Sequence, residues 1–470
     1  MPAAKNIMTP AEDSQSSVPS TLPLFSKPIA SNLFRAFYHH TYSSCGYTAQ
    51  DYGCVAVGQN LSQFLPYVIV SPFDSRVTAI ECHPFQSGFV AFASKRGDVC
   101  VWDGSSTEAK QVLKGGGPGL AIGGLSFDPV KEELIYAACM DGPISEIDVE
   151  SGKKPRWLLE IEPADCYKVW WQSVECTRDT VMGGDTKGRL TAYAKDGGTQ
   201  IWRHRLHKNK IHHLEVCPSA DRILVSSSTD HTVKIWDLRM IGDSKIQPLA
   251  TLPHSKGVNV ATFSRTGSAR LLTSDQHSEI RIYQGPSWHL STSIAHPHRQ
   301  FQHLTPIRAA WHPLADVVCI GRYPDPEFPG FTPQERRSVD CFAASTGKCL
   351  TQIYHPQIRL LSTITKFDCT GTFMVTAAGC SVVSWRHRNC RAVRRIEGNV
   401  SSVAPYFHDY ESPDSFTEAP DGDTRHLVGG SALKARATNA NRRSSDGKIR
   451  KRVPAMTLTK PKHNMKKKKE

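Results

Sequence analysis

Between residues 77 and 385 one pattern recurs seven times: an apolar run, a turn, a second apolar run, a polar turn, and a third run ending on an aromatic or aliphatic side chain. It is legible in VTAIECHPFQSGFVAFASKRGDVCVWD (77–103), IGGLSFDPVKEELIYAACMDGPISEID (122–148), IHHLEVCPSADRILVSSSTDHTVKIWDLR (211–239) and LSTITKFDCTGTFMVTAAGCSVVSW (361–385). Aligning Pro84, Pro129, Thr177, Pro218, Arg265, Pro313 and Cys369 gives spacings of 45, 48, 41, 47, 48 and 56 residues. A unit this short cannot bury its own apolar faces, so successive units must stack on one another.

A period in the forties, short strands punctuated by turns, and KIWD closing a third strand together indicate WD repeats. The expected fold class is therefore all-β: a seven-bladed WD-repeat β-propeller over residues 76–395, with a short N-terminal helical segment and disordered tails. The sixth unit departs from its siblings, because GRYPDPEFPGFTPQERRSVD inserts a long Pro-rich loop between two of its strands. Long loops on the rim of a rigid scaffold are where binding residues collect.

Outside the repeats, residues 1–28 are rich in Ser, Thr, Pro and Ala and read as a disordered tail. Residues 29–75 read as a helix-loop-helix and lead-in. Leu33, Phe34, Phe37 and Tyr38 fall on one side at helical spacing, and Leu61, Phe64 and Leu65 do the same within 57–70 until Pro66 ends the helix. Such a stripe packs either on the chain's own core or into a partner. Residues 396–430 form an acidic linker with Asp409, Glu411, Asp414, Glu418, Asp421 and Asp423. Residues 431–470 form a basic disordered tail, in which 14 Lys/Arg against Asp446 and Glu470 supply +12 of the chain's net +13. The rest is close to neutral, so any nucleic-acid binding by the folded part must come from locally clustered charge.

No run approaches the ~18 apolar residues of a membrane span, and no charged segment followed by an apolar core marks a secretory leader. The 14 cysteines contain no CxxC pair and lie largely in strand-like runs, as reduced core thiols do. GxGxxG, Walker A, GxSxG and HExxH motifs are absent from the sequence. His296, His298 and His303 lack the regular spacing and second element of a zinc site. The expectation is a chain without catalysis, metal, cofactor or small-molecule substrate.

Basic residues, by contrast, recur in the polar turns and linkers: Lys95, Arg96, Lys187, Arg189, Lys208, Lys210, Lys256, Arg299, Arg322, Arg336 and Arg337. They are either ordinary solvated charges or, gathered at one end of the propeller, a rim that neutralises phosphates. Among them HPHRQFQHLTP (296–306) sets a large apolar side chain, Phe301, in a Pro-bracketed polar loop.

HPHRQFQHLTPIRAAWHP, GRYPDPEF, STDHTVKIWDLR and LLTSDQHSEIRIY closely resemble the WD-repeat subunits of UV-damaged-DNA-binding complexes, over about residues 30–388 and most strongly over 205–350. The resemblance implies that Phe301, Gln302 and His303 form a wedge inserted from the minor groove while damaged bases flip out. An apolar wedge fills the gap in the stack, and Gln and His hydrogen-bond the orphaned bases. It implies phosphate contacts at Lys95, Lys210, Arg299 and Arg337. Where the family has an Arg-Arg pair before the first blade this chain has Ser75 and Arg76, leaving Arg76 as the nearest substitute. Trp170 matches an aromatic near the lesion pocket, or is a buried blade residue.

The resemblance further implies docking on the propeller adaptor of a cullin 4-type ubiquitin ligase. Trp236, Asp237 and Arg239 would form the docking box, with Leu33, Phe34, Phe37, Leu61 and Phe64 as an inserted helical stripe. Trp236 and Asp237 also have a blade-stabilising role open to them. A nuclear location, damaged duplex DNA and chromatin as partners, and initiation of nucleotide excision repair follow from the same likeness. The basic run sits at the C-terminus, in KIRKRVP and KPKHNMKKKK, where it reads as nuclear targeting with non-specific DNA affinity. The alternatives are a nuclear WD-repeat protein that binds chromatin without lesion specificity, or a scaffold.

Overall fold

The computed structural model describes residues 49–390 except 118–119, 141, 151–155, 158–168, 197, 242–245, 268, 302–304, 357 and 359. The proposed tails, the segment bearing Leu33, Phe34 and Phe37, and the wedge residues Gln302 and His303 lie outside the described residues.

Among the described residues the strands form seven four-stranded sheets. In the first blade the strands run Val77–Cys82, Phe89–Ser94, Val99–Asp103 and Lys110–Leu113 from the axis outward, here termed a to d. The a strands of successive blades meet around the axis, and the ring closes where Ser362–Phe367 of the seventh blade meets Val77–Cys82 of the first. The expected WD propeller is the fold observed.

The alternation of side chains along each strand explains why stacking is obligatory. In Phe89–Ser94, Val90 and Phe92 join a cluster with Phe373, Val375 and Val382 of the seventh blade. Ala91 and Ala93 face the other way, into a cluster with Ile122, Leu125 and Phe127 of the second. A strand covered on both faces reads as a continuous apolar run, as Val317–Gly321 and Phe373–Ala378 do, both buried at every position. Outer strands such as Gln200–Arg205 face solvent and carry the polar residues. Burying each large core side chain, such as the edge-on pair Phe92 and Trp102 at 6.4 Å, contributes ~1.5–3 kcal/mol.

The fourth blade shows what STDHTVKIWD is for. Trp236 Nε1 donates to Ser226 Oγ at 2.9 Å, and His207 Nε2 lies 2.7 Å from the same oxygen. His207 Nδ1 lies 3.0 Å from Asp230 Oδ2 in the turn between strands b and c. Burial alone would raise the Asp230 carboxyl, but His207 and Thr232 more than offset it and hold the group below the usual carboxylate range. The indole of Trp236 is thus committed to the blade, with the residue 2% exposed, and offers no surface to a partner. That corrects its expected place in the docking box.

The N-terminal side also differs from expectation. Helix α1 (Ala49–Leu61) ends before Phe64, and Phe64–Val70 is a strand paired with Ser381–His387 from Phe64↔His387 to Val70↔Val382. The propeller therefore begins at residue 64, the seventh blade taking its outermost strand from the N-terminal side. Pro66 is tolerated there because this is an edge strand with an irregular register between Pro66 and Val68.

Cys54, Val57 and Leu61, spaced i, i+3, i+7, seat α1 against Val317, Cys319, Cys341 and Ile353 of the sixth blade, with Phe64 beside them. A Cβ at Gly58 would stand 2.8 Å from Leu350 Cβ, so glycine permits this approach. Leu61 is 0% and Phe64 3% exposed. Both belong to the chain's own core, which corrects the role in adaptor docking expected of these two residues.

Candidate nucleic-acid interface

Antiparallel blades sort their connections to two ends. Turns between strands b and c, and links from strand d to the next blade's strand a, share one rim; a–b turns and c–d links share the other. This topology gathers Arg76, Lys95, Arg96, Trp170, Lys187, Lys208, Lys210, Lys256, Arg299, Phe301, Arg336 and Arg337 at the first rim. Backbone hydrogen bonds stitch it together: Lys95 N to Arg76 O at 2.9 Å, Thr186 N to Trp170 O at 3.1 Å, Thr229 N to Lys210 O at 3.1 Å and Gln276 N to Gly257 O at 2.8 Å. Charges scattered over 260 positions of sequence thus occupy one surface, and Lys95, Arg96, Lys187, Lys208 and Lys256 are exposed on it.

Two of the basic residues are committed internally instead. Arg189 Nε donates to the buried Asp185 at 2.5 Å, and Arg322 binds Asp340 at 2.9 Å and also Glu335. Ser75 Oγ is buried with no hydrogen-bond partner among the described residues, and the half-buried Arg76 has its pKa lowered by that burial. Arg336 stacks over the Tyr354 ring at 4.2 Å. Trp170 is 40% exposed on the rim, whereas its neighbour Trp171 is the buried blade residue.

The loop carrying Phe301 is rooted by buried polar contacts. His296 and His298 are both 0% exposed, stack at 5.4 Å and face Asp340 at 3.4 Å and Asp275 at 3.3 Å respectively. Burial lowers the His296 pKa to about 4, so at neutral pH the imidazole is uncharged. Asn259 Nδ2 lies 3.3 Å from both Gln300 Oε1 and Ile307 O, bridging the two ends of the loop. Gln300 N bonds Gln276 O at 2.8 Å, and Thr305 Oγ1 donates to Val77 O at 2.7 Å. The crowded histidines therefore hold up the loop.

Phe301 itself is half-buried. Its ring lies 4.9 Å from that of Tyr323, at the root of the sixth-blade insertion, and the Arg299 guanidinium lies 5.6 Å from its centroid. The sequence suggested an apolar side chain surrounded only by polar neighbours. In the structure the insertion gives it a platform, joined to the loop by Tyr323 N to Pro297 O at 3.0 Å.

The mouth of the central channel adds residues that spacing alone did not single out. Arg308 opens the sixth blade's a strand, and its Nε is buried with no hydrogen-bond partner among the described residues. Burial lowers its pKa to about 10, and the Lys210 pKa is lowered by burial and then by Arg308. The charge of Arg308 thus disfavours the protonated form of the half-buried Lys210. A signal existed in PIRAAW, where a charge interrupts a run of otherwise apolar strand residues. Further along a channel of about 960 Å³, Lys366 Nζ pairs with Glu81 at 2.8 Å. Burial and then neighbouring carboxylates push Glu175 well up, and burial also raises Glu215. These groups line the passage and are each partly buried. Among the described residues no cluster of three or more His, Cys, Asp or Glu has metal-holding geometry.

Asp237 and Arg239 sit on the opposite rim, where Arg239 Nη2 lies 2.6 Å from Asp237 Oδ2. The hydrogen bond from Arg239 lowers the Asp237 pKa to about 2. The Arg239 side chain is 64% exposed, and Phe85, Val130, Met240 and Leu314 present apolar surface on the same rim.

The family described as WD domain, G-beta repeat matches residues 198–237. Among curated proteins, the chain is 39% identical over 339 residues to DNA damage-binding protein 2 of Gallus gallus, across 70% of this chain and 65% of that one. It is 34% identical over 362 residues to DNA damage-binding protein 2 of Bos taurus, across 76% of this chain and 83% of that one. The match spans just under two thirds of the chicken protein. Among solved structures, the WD40 β-propeller domain of Doa1 superposes with a TM-score of 0.53 at 14% identity, covering 70% of this chain and 98% of that domain, a likeness of fold alone.

Proposed function

We propose, for a chain that belongs to the DNA damage-binding protein 2 family, that it binds damaged duplex DNA on the basic rim and probes it with Phe301. The observation that carries this reading is the convergence of Lys95, Arg76, Lys210, Arg299 and Arg337 with the Phe301 loop at one end of the propeller. Phosphates bound by the cations set position on the duplex but carry no sequence information. Phe301, with Gln302 and His303 following it, enters the stack from the minor groove and takes the place of the bases that leave. Extruding a base from an intact stack costs on the order of a few kcal/mol, and a helix-distorting photodimer has already lost part of that stacking. Selectivity then arises from deformability with no bond made or broken, and each ~1.4 kcal/mol saved is tenfold in affinity. In this reading Trp170, exposed on the same rim, stacks on an extruded base.

On the opposite rim, Arg239 and the apolar surface around it dock the adaptor of a cullin 4-type ligase, with Asp237 orienting the guanidinium for a partner carboxylate. In this reading the protein is a non-catalytic, nuclear receptor that initiates nucleotide excision repair. Its two ends hold DNA and ligase apart, and the basic tail at 431–470 adds non-specific affinity for DNA and chromatin.

The test compares binding to UV-irradiated and undamaged duplexes of equal length. Phe301→Ala together with His303→Ala collapses the ratio of affinities, while Lys210→Glu weakens both. Equal affinity of the parent protein for the two duplexes refutes the lesion reading and leaves a chromatin-binding propeller without lesion specificity.

A further inference from the structure

The sixth-blade insertion supplies a carboxylate where the proposed interface calls for a phosphate. Glu327 Oε2 accepts from Arg299 Nη1 at 2.6 Å, and the Glu327 side chain is 69% exposed against 31% for Arg299. The same guanidinium lies over the Phe301 ring, which rests on Tyr323, so Arg299 is held from two sides. Glu327 is itself set by its backbone: its N–H donates to Asp325 Oδ1 at 3.0 Å, and Asp325 is buried. The carboxylate is thus presented by an ordered turn.

Resting on the reading of the rim as a DNA-binding surface, we propose that Glu327 is the intramolecular competitor of DNA phosphate for Arg299. It lowers the affinity of the Phe301 loop for every duplex. The chemistry favours exchange: a DNA phosphate offers the planar guanidinium the same bidentate acceptor geometry as a carboxylate, with a duplex field behind it. An exposed pair of this kind is weak enough to be displaced, so it acts as a threshold on binding.

The experiment uses the full chain and a fluorescein-labelled undamaged duplex, read by anisotropy at low ionic strength where exposed charges act most strongly. Glu327→Gln tightens binding about two- to five-fold, the upper range that exposed ion pairs span. In an Arg299→Gln background the same substitution gives no gain. Thermal melting of each variant confirms that the propeller is intact. Unchanged affinity of Glu327→Gln overturns the proposal. So does an undiminished gain in the Arg299→Gln background, which would assign the effect to general repulsion between Glu327 and DNA. Failure of the lesion reading would show separately, as equal affinity of the parent for irradiated and undamaged duplex.

Discussion

Lys210→Gln tests the rim by counting charges. Five cations are assigned to phosphates on one surface: Arg76, Lys95, Lys210, Arg299 and Arg337. Each phosphate neutralised releases condensed counterions, so the five rim contacts contribute about −4.5 to the slope of log K against log salt, and the basic tail adds to it. Between 50 and 200 mM salt the rim's share of the fall in affinity is roughly 500-fold. Removing one charge without reversing it makes the slope shallower by about 0.9 and brings the rim's share to roughly 150-fold. Lys210 is the informative choice because burial and Arg308 already lower its pKa, so a phosphate relieves a repulsion as well as screening a charge. The assay is anisotropy of a labelled undamaged duplex across a salt series, where no lesion contributes. A parent slope shallower than about −2, or an unchanged slope in Lys210→Gln, would refute the placement of these cations on the backbone.

Leu61→Ala, at a position 0% exposed, should cost about 3 kcal/mol through lost transfer energy and a residual cavity, seen as a lower urea midpoint; unchanged stability would return Leu61 to the docking surface. Arg239→Ala should reduce co-purification with the ligase adaptor while leaving the melting temperature unchanged, since its side chain is 64% exposed; undiminished capture would make the box purely structural. Stability should fall as pH drops from 6.5 toward 4. Burial lowers the pKa of His207, His212, His213, His254, His296 and His312, so the unfolded chain takes up more protons across that window. Glu175 and Glu215, raised by burial, act in the opposite sense but are outnumbered. A urea midpoint equal at pH 7 and pH 5 would contradict this balance.

The fold was legible because a repeat writes the same constraint seven times, and a misread strand in one unit is corrected by its neighbours. One misreading lies before the first repeat and the other inside the fourth. Residues 57–70 carry apolar spacing that suits a helix as far as Leu61, yet FLPYVIV is also a β-rich run. What decided for strand was the unpaired edge of Ser381–His387, more than 300 positions away in sequence and invisible to any local pattern. Trp236 and Arg239 belong to one motif, but the tetrad with Ser226, His207 and Asp230 buries the first and leaves the second exposed.

The sequence by itself determined the propeller, the ends to which its loops must go, and the residue types at the proposed interface. Antiparallel strands joined by short turns leave a chain no freedom over which rim a given turn occupies, so Lys95 and Arg337 share a surface as soon as the strands are assigned. Only the tertiary structure decided how those residues are employed. Arg189 and Arg322 are neutralised inside the blades, Arg308 lowers the pKa of Lys210 beyond what burial does, and Arg299 is held by Glu327 over Phe301. The physical reason is distance: the energy of a charge depends on what lies within a few ångströms of it, and folding sets those neighbours, within one blade for Arg189 and Arg322 and between blades for Lys210 and Arg308.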